Sequence, residues 1–262
     1  MLVALTREVS PSLTECQLTY RARDPIDLHL ARIQHARYEE TLALAGCRIR
    51  RLRPLPDQPD AVFVEDTAVV LNEAAVIARP GAVSRRLETP SVANVLEGYR
   101  PVRFIDPPGT LEGGDVLRIG RTLFVGLSTR TNEDGAEQLA KISKPHGYVV
   151  RTLEVRKCLH LKSAVTSVDE NTVVLNPDWI DRDVFEGLNV IEIDPEEPMA
   201  ANVLGIGDVL ICAADFPGTQ RRLKEHGCRL LPVPVSELAK AEGAVTCGSI
   251  VLEVPRSAAV AA

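Results

Sequence analysis

His146-Gly147-Tyr148-Val149-Val150 reads as the end of a helix and the start of an extended segment. Glycine is the usual residue just past a helix, because that position often needs a left-handed backbone. The same junction occurs four more times. It reads Ala45-Gly46-Cys47-Arg48-Ile49, Glu97-Gly98-Tyr99-Arg100-Pro101, Glu186-Gly187-Leu188-Asn189-Val190 and His226-Gly227-Cys228-Arg229-Leu230. The five glycines lie 52, 49, 40 and 40 residues apart (98 − 46, 147 − 98, 187 − 147, 227 − 187). Asp24-Pro25, Thr89-Pro90 and Asn176-Pro177 put a capping side chain before a proline, predicting the starts of the first, second and fourth helices. Ile26, Leu30 and Ile33 give the first helix an apolar stripe, and Pro145 helps to stop the third.

Working outward, a second extended segment follows each junction, and a short polar motif opens it. The motifs are Phe63-Val64-Glu65-Asp66-Thr67, Leu111-Glu112-Gly113-Gly114-Asp115, Leu159-His160-Leu161-Lys162-Ser163, Ala201-Asn202-Val203-Leu204 and Val245-Thr246-Cys247-Gly248-Ser249. Glu65, Glu112, His160, Asn202 and Cys247 are 47, 48, 42 and 45 residues apart (112 − 65, 160 − 112, 202 − 160, 247 − 202). A period of this length marks a propeller or a repeat array. Five units mixing strands with one helix would close into a ring and bring the same part of each unit to a central axis. The alternative is an open α/β sheet with coincidental spacing. The reading adopted is an α/β five-bladed propeller with pseudo-fivefold repeats, forming one catalytic domain over 1–262. No linker or low-complexity segment interrupts it. The tail from Pro255 to Ala262 is small and apolar and is expected to fray.

Composition narrows the classes. A hydrophobic fraction of 45%, a charged fraction of 25% and a net charge of −6 suit a soluble globular chain. With no long basic run, nucleic acid is not expected as a partner. No apolar stretch approaches the roughly 20 residues of a membrane span. Arg7 and Glu8 follow the apolar Met1 to Leu5 too closely for a signal peptide. Six cysteines without a CxxC pair suggest a reduced, cytoplasmic thiol protein. Gly113-Gly114 completes no nucleotide-binding pattern, and no close Cys/His cluster exists, so neither cofactor nor metal is expected.

Ring closure would gather Glu65, Asp66, Glu112, Asp115, His160 and Cys247. A thiol, an imidazole and carboxylates are the parts of a nucleophilic site: a thiolate attacks, a histidine moves its proton, and a carboxylate orients the histidine. Further carboxylates would hold a cation. Each residue also has a plainer reading. A cysteine is most often a small buried apolar residue. Cys212 reads as core, Cys47 and Cys228 as packing, and Cys158 is the rival nucleophile, two residues from His160. His160 could be a satisfied core histidine. His146 and His226 flank stop glycines and should face solvent, while His29 and His35 look superficial. Glu65-Asp66 lies between Val62-Phe63-Val64 and Ala68-Val69-Val70-Leu71, where acids are costly to bury unless paired.

Together the motifs resemble the dimethylarginine dimethylaminohydrolase family of the guanidino-modifying enzymes, the pentein superfamily. The segments that carry this resemblance are Pro59 to Asp66, Arg79 to Arg86, Thr110 to Val116, Ser128 to Asn132, His160 to Ser163, and Leu238-Ala239-Lys240 through Cys247. It implies a five-bladed α/β propeller that hydrolyses N-omega-methylated arginines to citrulline and an amine through a covalent thiouronium. By the same resemblance Cys247 is the nucleophile, His160 the acid and base, and Glu112 the residue that positions His160 and the guanidinium. Asp66, with Glu65 close by, would bind the guanidinium, and Asp60 the region of the α-amino group. Arg85 and Arg130 would grip the α-carboxylate. Leu18 would form part of a lid. The implied partner is a small guanidino amino acid; homodimerisation is left open. The competing readings are an arginine deiminase on the same scaffold, a non-catalytic binder of arginine derivatives, and a papain-like peptidase, which lacks its cysteine on an early helix.

Overall fold

Each repeat folds as two parallel strands joined by a crossover, helical in four of the five, with one further strand laid against them. The computed structural model describes residues 1–254; the tail expected to fray lies outside them. Strands β1 (Leu2–Thr6) and β2 (Cys47–Arg51) run parallel and are joined through helix α1 (Leu28–Leu44). Parallel neighbours cannot be joined by a tight turn, which is why a helix intervenes. The second sheet holds β3 (Ala68–Val70), β4 (Ala75–Ile77) and β5 (Val102–Phe104), with α2 (Thr89–Leu96) as crossover. The third holds β6 (Val116–Ile119), β7 (Thr122–Leu127) and β8 (Val149–Glu154), with α3 (Glu133–Ser143).

After the one-turn helix α4 (Leu161–Ala164) come β9 (Val165–Ser167), β10 (Thr172–Leu175) and β11 (Asn189–Glu192). The last full repeat is β12 (Val203–Ile206), β13 (Val209–Ala213), α5 (Pro217–Glu225) and β14 (Arg229–Val233). A second one-turn helix, α6 (Ser236–Lys240), leads to β15 (Ile250–Glu253), which pairs antiparallel with β1 and sets Leu2 opposite Glu253. Among the described residues the strands thus form five sheets of three.

The five sheets surround one axis. A single cavity of about 560 Å³ is lined by residues of β3, β6, β9, β12 and β15, the first strand of every sheet. An open sheet could not bring all five to one space, so the ring is closed. The alternation of side chains along a strand fills the gaps between blades. Val116, Leu123 and Val125 pack toward Val69, Leu71 and Val76 of the preceding blade. Their neighbours Leu117 and Phe124 pack toward Leu161, Val173 and Leu175 of the next. Burial of each such large side chain stabilises the ring by roughly 1.5–3 kcal/mol.

Four stop glycines, Gly46, Gly147, Gly187 and Gly227, have the left-handed φ expected of them; Gly98 does not. The start signals fare less well. Helix α1 begins at Leu28, where Asp27 accepts the N–H groups of His29 and Leu30, three residues beyond Asp24-Pro25. Its buried face is Ala31, His35, Tyr38 and Leu42, whereas Ile33 is 52% exposed. The expected stripe therefore lay on the wrong side, and His35, expected at the surface, is buried. After Asn176-Pro177 the predicted fourth helix shrinks to a 3-10 turn over Arg182–Phe185.

Candidate active site

Every polar motif with chemistry folds as one tight turn just before an axial strand. Val64–Thr67, Gly113–Asp115 and Thr246–Gly248 are 3-10 turns, and His160 directly precedes α4. The turns approach so closely that a side chain has no room at Gly114. A Cβ there would lie 2.6 Å from His160 Nδ1 and 2.7 Å from Asp66 Oδ1. The same closeness lets the Gly114 N–H donate to Asp66 Oδ1 at 3.0 Å.

His160 sits between two carboxylates. Its Nε2 is 2.7 Å from Glu112 Oε2, and its Nδ1 is 3.8 Å from Asp66 Oδ1. Asp115 holds the backbone just after His160: it accepts Leu161 N–H at 2.9 Å, and on its other oxygen the Ser128 hydroxyl at 2.7 Å. Burial alone would lower the pKa of the imidazole, but Asp66, Asp115 and Glu112 outweigh it and raise it to about 9. Burial works against Asp66 and Glu112 as acids, yet the His160 cation and Arg85 hold both below the usual carboxylate range. The Cys247 thiol moves the other way: burial and then the charges of Glu65 and Asp66 push its pKa well up. The free site is thus an imidazolium and carboxylates beside a protonated thiol.

Asp60, Asp66, Arg85, Arg130, His160 and Cys247 line one cavity, together with Gln17, Phe63, Leu159 and the segment Ala241-Glu242-Gly243. Glu112, fully buried, stands behind His160. Two expected substrate residues lie elsewhere. Glu65 does not line this cavity but the wide axial one, bound to Lys162 Nζ at 2.5 Å and the Thr246 hydroxyl at 2.6 Å. Leu18 does not line the narrow cavity either; like Cys247, it packs against the apolar cluster that includes Phe63, Leu238 and Ala241.

The remaining side chains are already engaged. Asp60 accepts the N–H of Gln17. Arg85 donates to Asp66 Oδ2 at 2.6 Å, to both oxygens of Glu88, and to the carbonyls of Asp60 and Phe63. Arg130 lies 3.5 Å from Glu112 Oε1 and donates to the Thr19 hydroxyl. The ligand atoms of Asp66, Glu112 and His160 lie within 4.8 Å of one another, as a metal site would need. Their closest partners are His160 and Arg85, so the acids are already neutralised from within. Sequence reasoning missed Glu88, though an acid three residues after Arg85 is a pairing signal. It also missed Gln17 and the part played by the Glu242 carboxylate, for which no local signal exists.

Comparison with known proteins decides the family. The model of the arginine deiminase family matches residues 52–200. A Streptomyces coelicolor protein named N(G),N(G)-dimethylarginine dimethylaminohydrolase is 41% identical over 249 residues, covering 94% of this chain and 95% of the relative. The chain belongs to the dimethylarginine dimethylaminohydrolase family. A Pseudomonas aeruginosa relative of the same name is 35% identical over 83% of this chain and 86% of its own length. A solved structure of dimethylarginine dimethylaminohydrolase from Pseudomonas aeruginosa, a cysteine-to-serine variant complexed with citrulline, matches with a TM-score of 0.91. It is 33% identical and covers 95% of this chain and 98% of that one. The five-bladed α/β ring of the dimethylarginine dimethylaminohydrolase family, the pentein fold, is therefore the architecture found here.

Proposed function

We propose that this protein hydrolyses N-omega-methylated arginines, asymmetric dimethylarginine and monomethylarginine, to citrulline and dimethylamine or methylamine. The observation that carries this reading is one cavity lined by the Cys247 thiol, the His160 imidazolium and the Asp66 carboxylate, in a chain so similar to named dimethylarginine dimethylaminohydrolases. A solved relative carrying an adduct with S-methyl-L-thiocitrulline supports covalent chemistry in the family.

The substrate guanidinium enters beside Asp66, and its charge lowers the thiol pKa, so the proton leaves to solvent. The Cys247 thiolate attacks the central guanidinium carbon. As the C–N bond breaks, the departing amine takes the proton of His160, leaving a thiouronium on Cys247. Neutral His160 then accepts a proton from water as its oxygen attacks the same carbon. The C–S bond breaks, the new hydroxyl's proton passes to the departing sulfur, and citrulline leaves with the Cys247 thiol restored. Glu112 holds Nε2 of His160, which directs the other ring nitrogen toward the cavity. Arg130, with support from Arg85, meets the α-carboxylate, and Asp60 the α-ammonium. Glu65 acts from behind through the Thr246 turn that carries Cys247. All six cysteines are free, which fits a reducing, cytoplasmic setting. No helix among the described residues is long and apolar enough to cross a membrane.

The test is parallel incubation with asymmetric dimethylarginine, monomethylarginine and arginine, with citrulline measured in each. Citrulline from both methylated substrates and not from Cys247→Ser is the expected result. Citrulline from arginine alone would instead assign an arginine deiminase.

A further inference from the structure

The cavity at Cys247 is narrow, and the sulfur's residue is only half-buried. It has room of about 20 Å³, about that of a single water molecule, so no amino acid reaches the sulfur without movement. The cover is the chain around Leu18, which has neither helix nor strand from Gln17 to Asp27. Four ties hold down its first part, Gln17 to Arg21, while Lys240 and Glu237 hold Pro25 and Asp27 further along. Asp60 accepts the N–H of Gln17, Arg130 donates to the Thr19 hydroxyl, and Arg21 donates to the Ala239 carbonyl. The fourth is Glu242, whose carboxylate accepts three consecutive backbone N–H groups: Thr19 at 3.0 Å, Tyr20 at 2.5 Å and Arg21 at 2.7 Å. Consecutive N–H groups turned inward form a nest that binds an anion, and such charge-assisted bonds are the stronger kind.

Glu242 has a φ of 58°, in the left-handed region where residues other than glycine and asparagine are uncommon. Glu242 lines the same cavity, in the wall segment that precedes Cys247. We infer that Glu242 is the latch of this lid, a positioning residue that sets how often the way to Cys247 opens. Asp60 and Arg130 have a share in the substrate under the reading above, on which the identity of the passenger rests. That reading gives the Glu242 carboxylate no such share: both of its oxygens are taken by N–H groups of the lid.

The test reads access to the sulfur without turnover. The intact protein is treated with iodoacetamide, a small neutral reagent, and alkylation of the Cys247 peptide is followed by mass spectrometry. The wild type is compared with Glu242→Gln and Glu242→Ala. Alkylation should quicken about 3-fold or more in the isosteric Gln variant and further in Ala, with its pH midpoint unchanged. KM for asymmetric dimethylarginine should rise by a larger factor than kcat falls. Equal alkylation rates in folded variants would overturn the latch, as would a gain explained by a shifted pH midpoint, which means thiol activation instead. Failure to hydrolyse methylarginines would reject the proposed substrate and leave the alkylation result standing.

Discussion

The two ends of the ring axis are built from neighbouring residues yet have opposite characters. Glu65 and Asp66, His160 and Lys162, Thr246 and Cys247 are adjacent or nearly so in sequence; each pair is divided between the ends, Glu65, Lys162 and Thr246 at one and Asp66, His160 and Cys247 at the other. At the wide end the acid meets a lysine and a hydroxyl, and Asn202 ties the Thr246 turn to the carbonyl of Lys162. At the narrow end Asp66, Asp115 and Glu112 crowd one imidazole and lift its pKa to about 9. A matched ion pair closes a structure; carboxylates crowded around one imidazole keep a proton ready on it. The tight turns make this possible, because they send consecutive side chains to opposite ends.

Substitutions at the two ends should therefore read out differently. Cys247→Ser should lower kcat by about 10⁴-fold or more, measured by citrulline release, since losing a nucleophile removes the covalent route. His160→Gln should cost about 10²–10⁴-fold, the usual span for general acid–base catalysis. It should also change the pH dependence of stability. The folded pKa of His160 is raised from 6.5 to about 9, so its contribution is complete below about pH 6.5 and fades as the pH climbs through 9. The stability deficit of His160→Gln, measured by denaturant melts, should thus be largest near pH 6 and shrink toward pH 9.5. Lys162→Met, at the wide end, should lower stability by about 2 kcal/mol, because it strands a largely buried Glu65. Its effect on kcat should stay within about 3-fold, the range expected when no reacting group is touched. A larger loss would mean that the two ends are coupled and the contrast is false.

Much of this was legible in the chain. The stop glycines kept phase because each blade needs the same reversal after its crossover, and the axial motifs kept phase because each opens the first strand of a sheet. Helix starts were less legible: Asp27, not Asp24, caps α1, since the intervening residues lie beside α6, where Asp27 N–H meets Glu237. The division of Glu65 from Asp66 could not be read, because it depends on a 3-10 turn rather than a strand's alternation. Nor could the part played by the Glu242 carboxylate be found, since its partners are backbone groups more than 220 residues away, which leave no pattern in side chains.

The first sheet joins β1 to β15, and the N-terminal amine of Met1 reaches the carbonyl of Val254 at 3.0 Å. A ribosome delivers the four other blades before it delivers β15, and Cys247 comes only three residues ahead of that strand. A nascent chain therefore holds the acids, the imidazole, the arginines and five other cysteines before it holds Cys247. Reactivity and the clasp that shapes it arrive in the same moment of synthesis, so a half-made molecule has no opportunity for stray alkylation of its nucleophile.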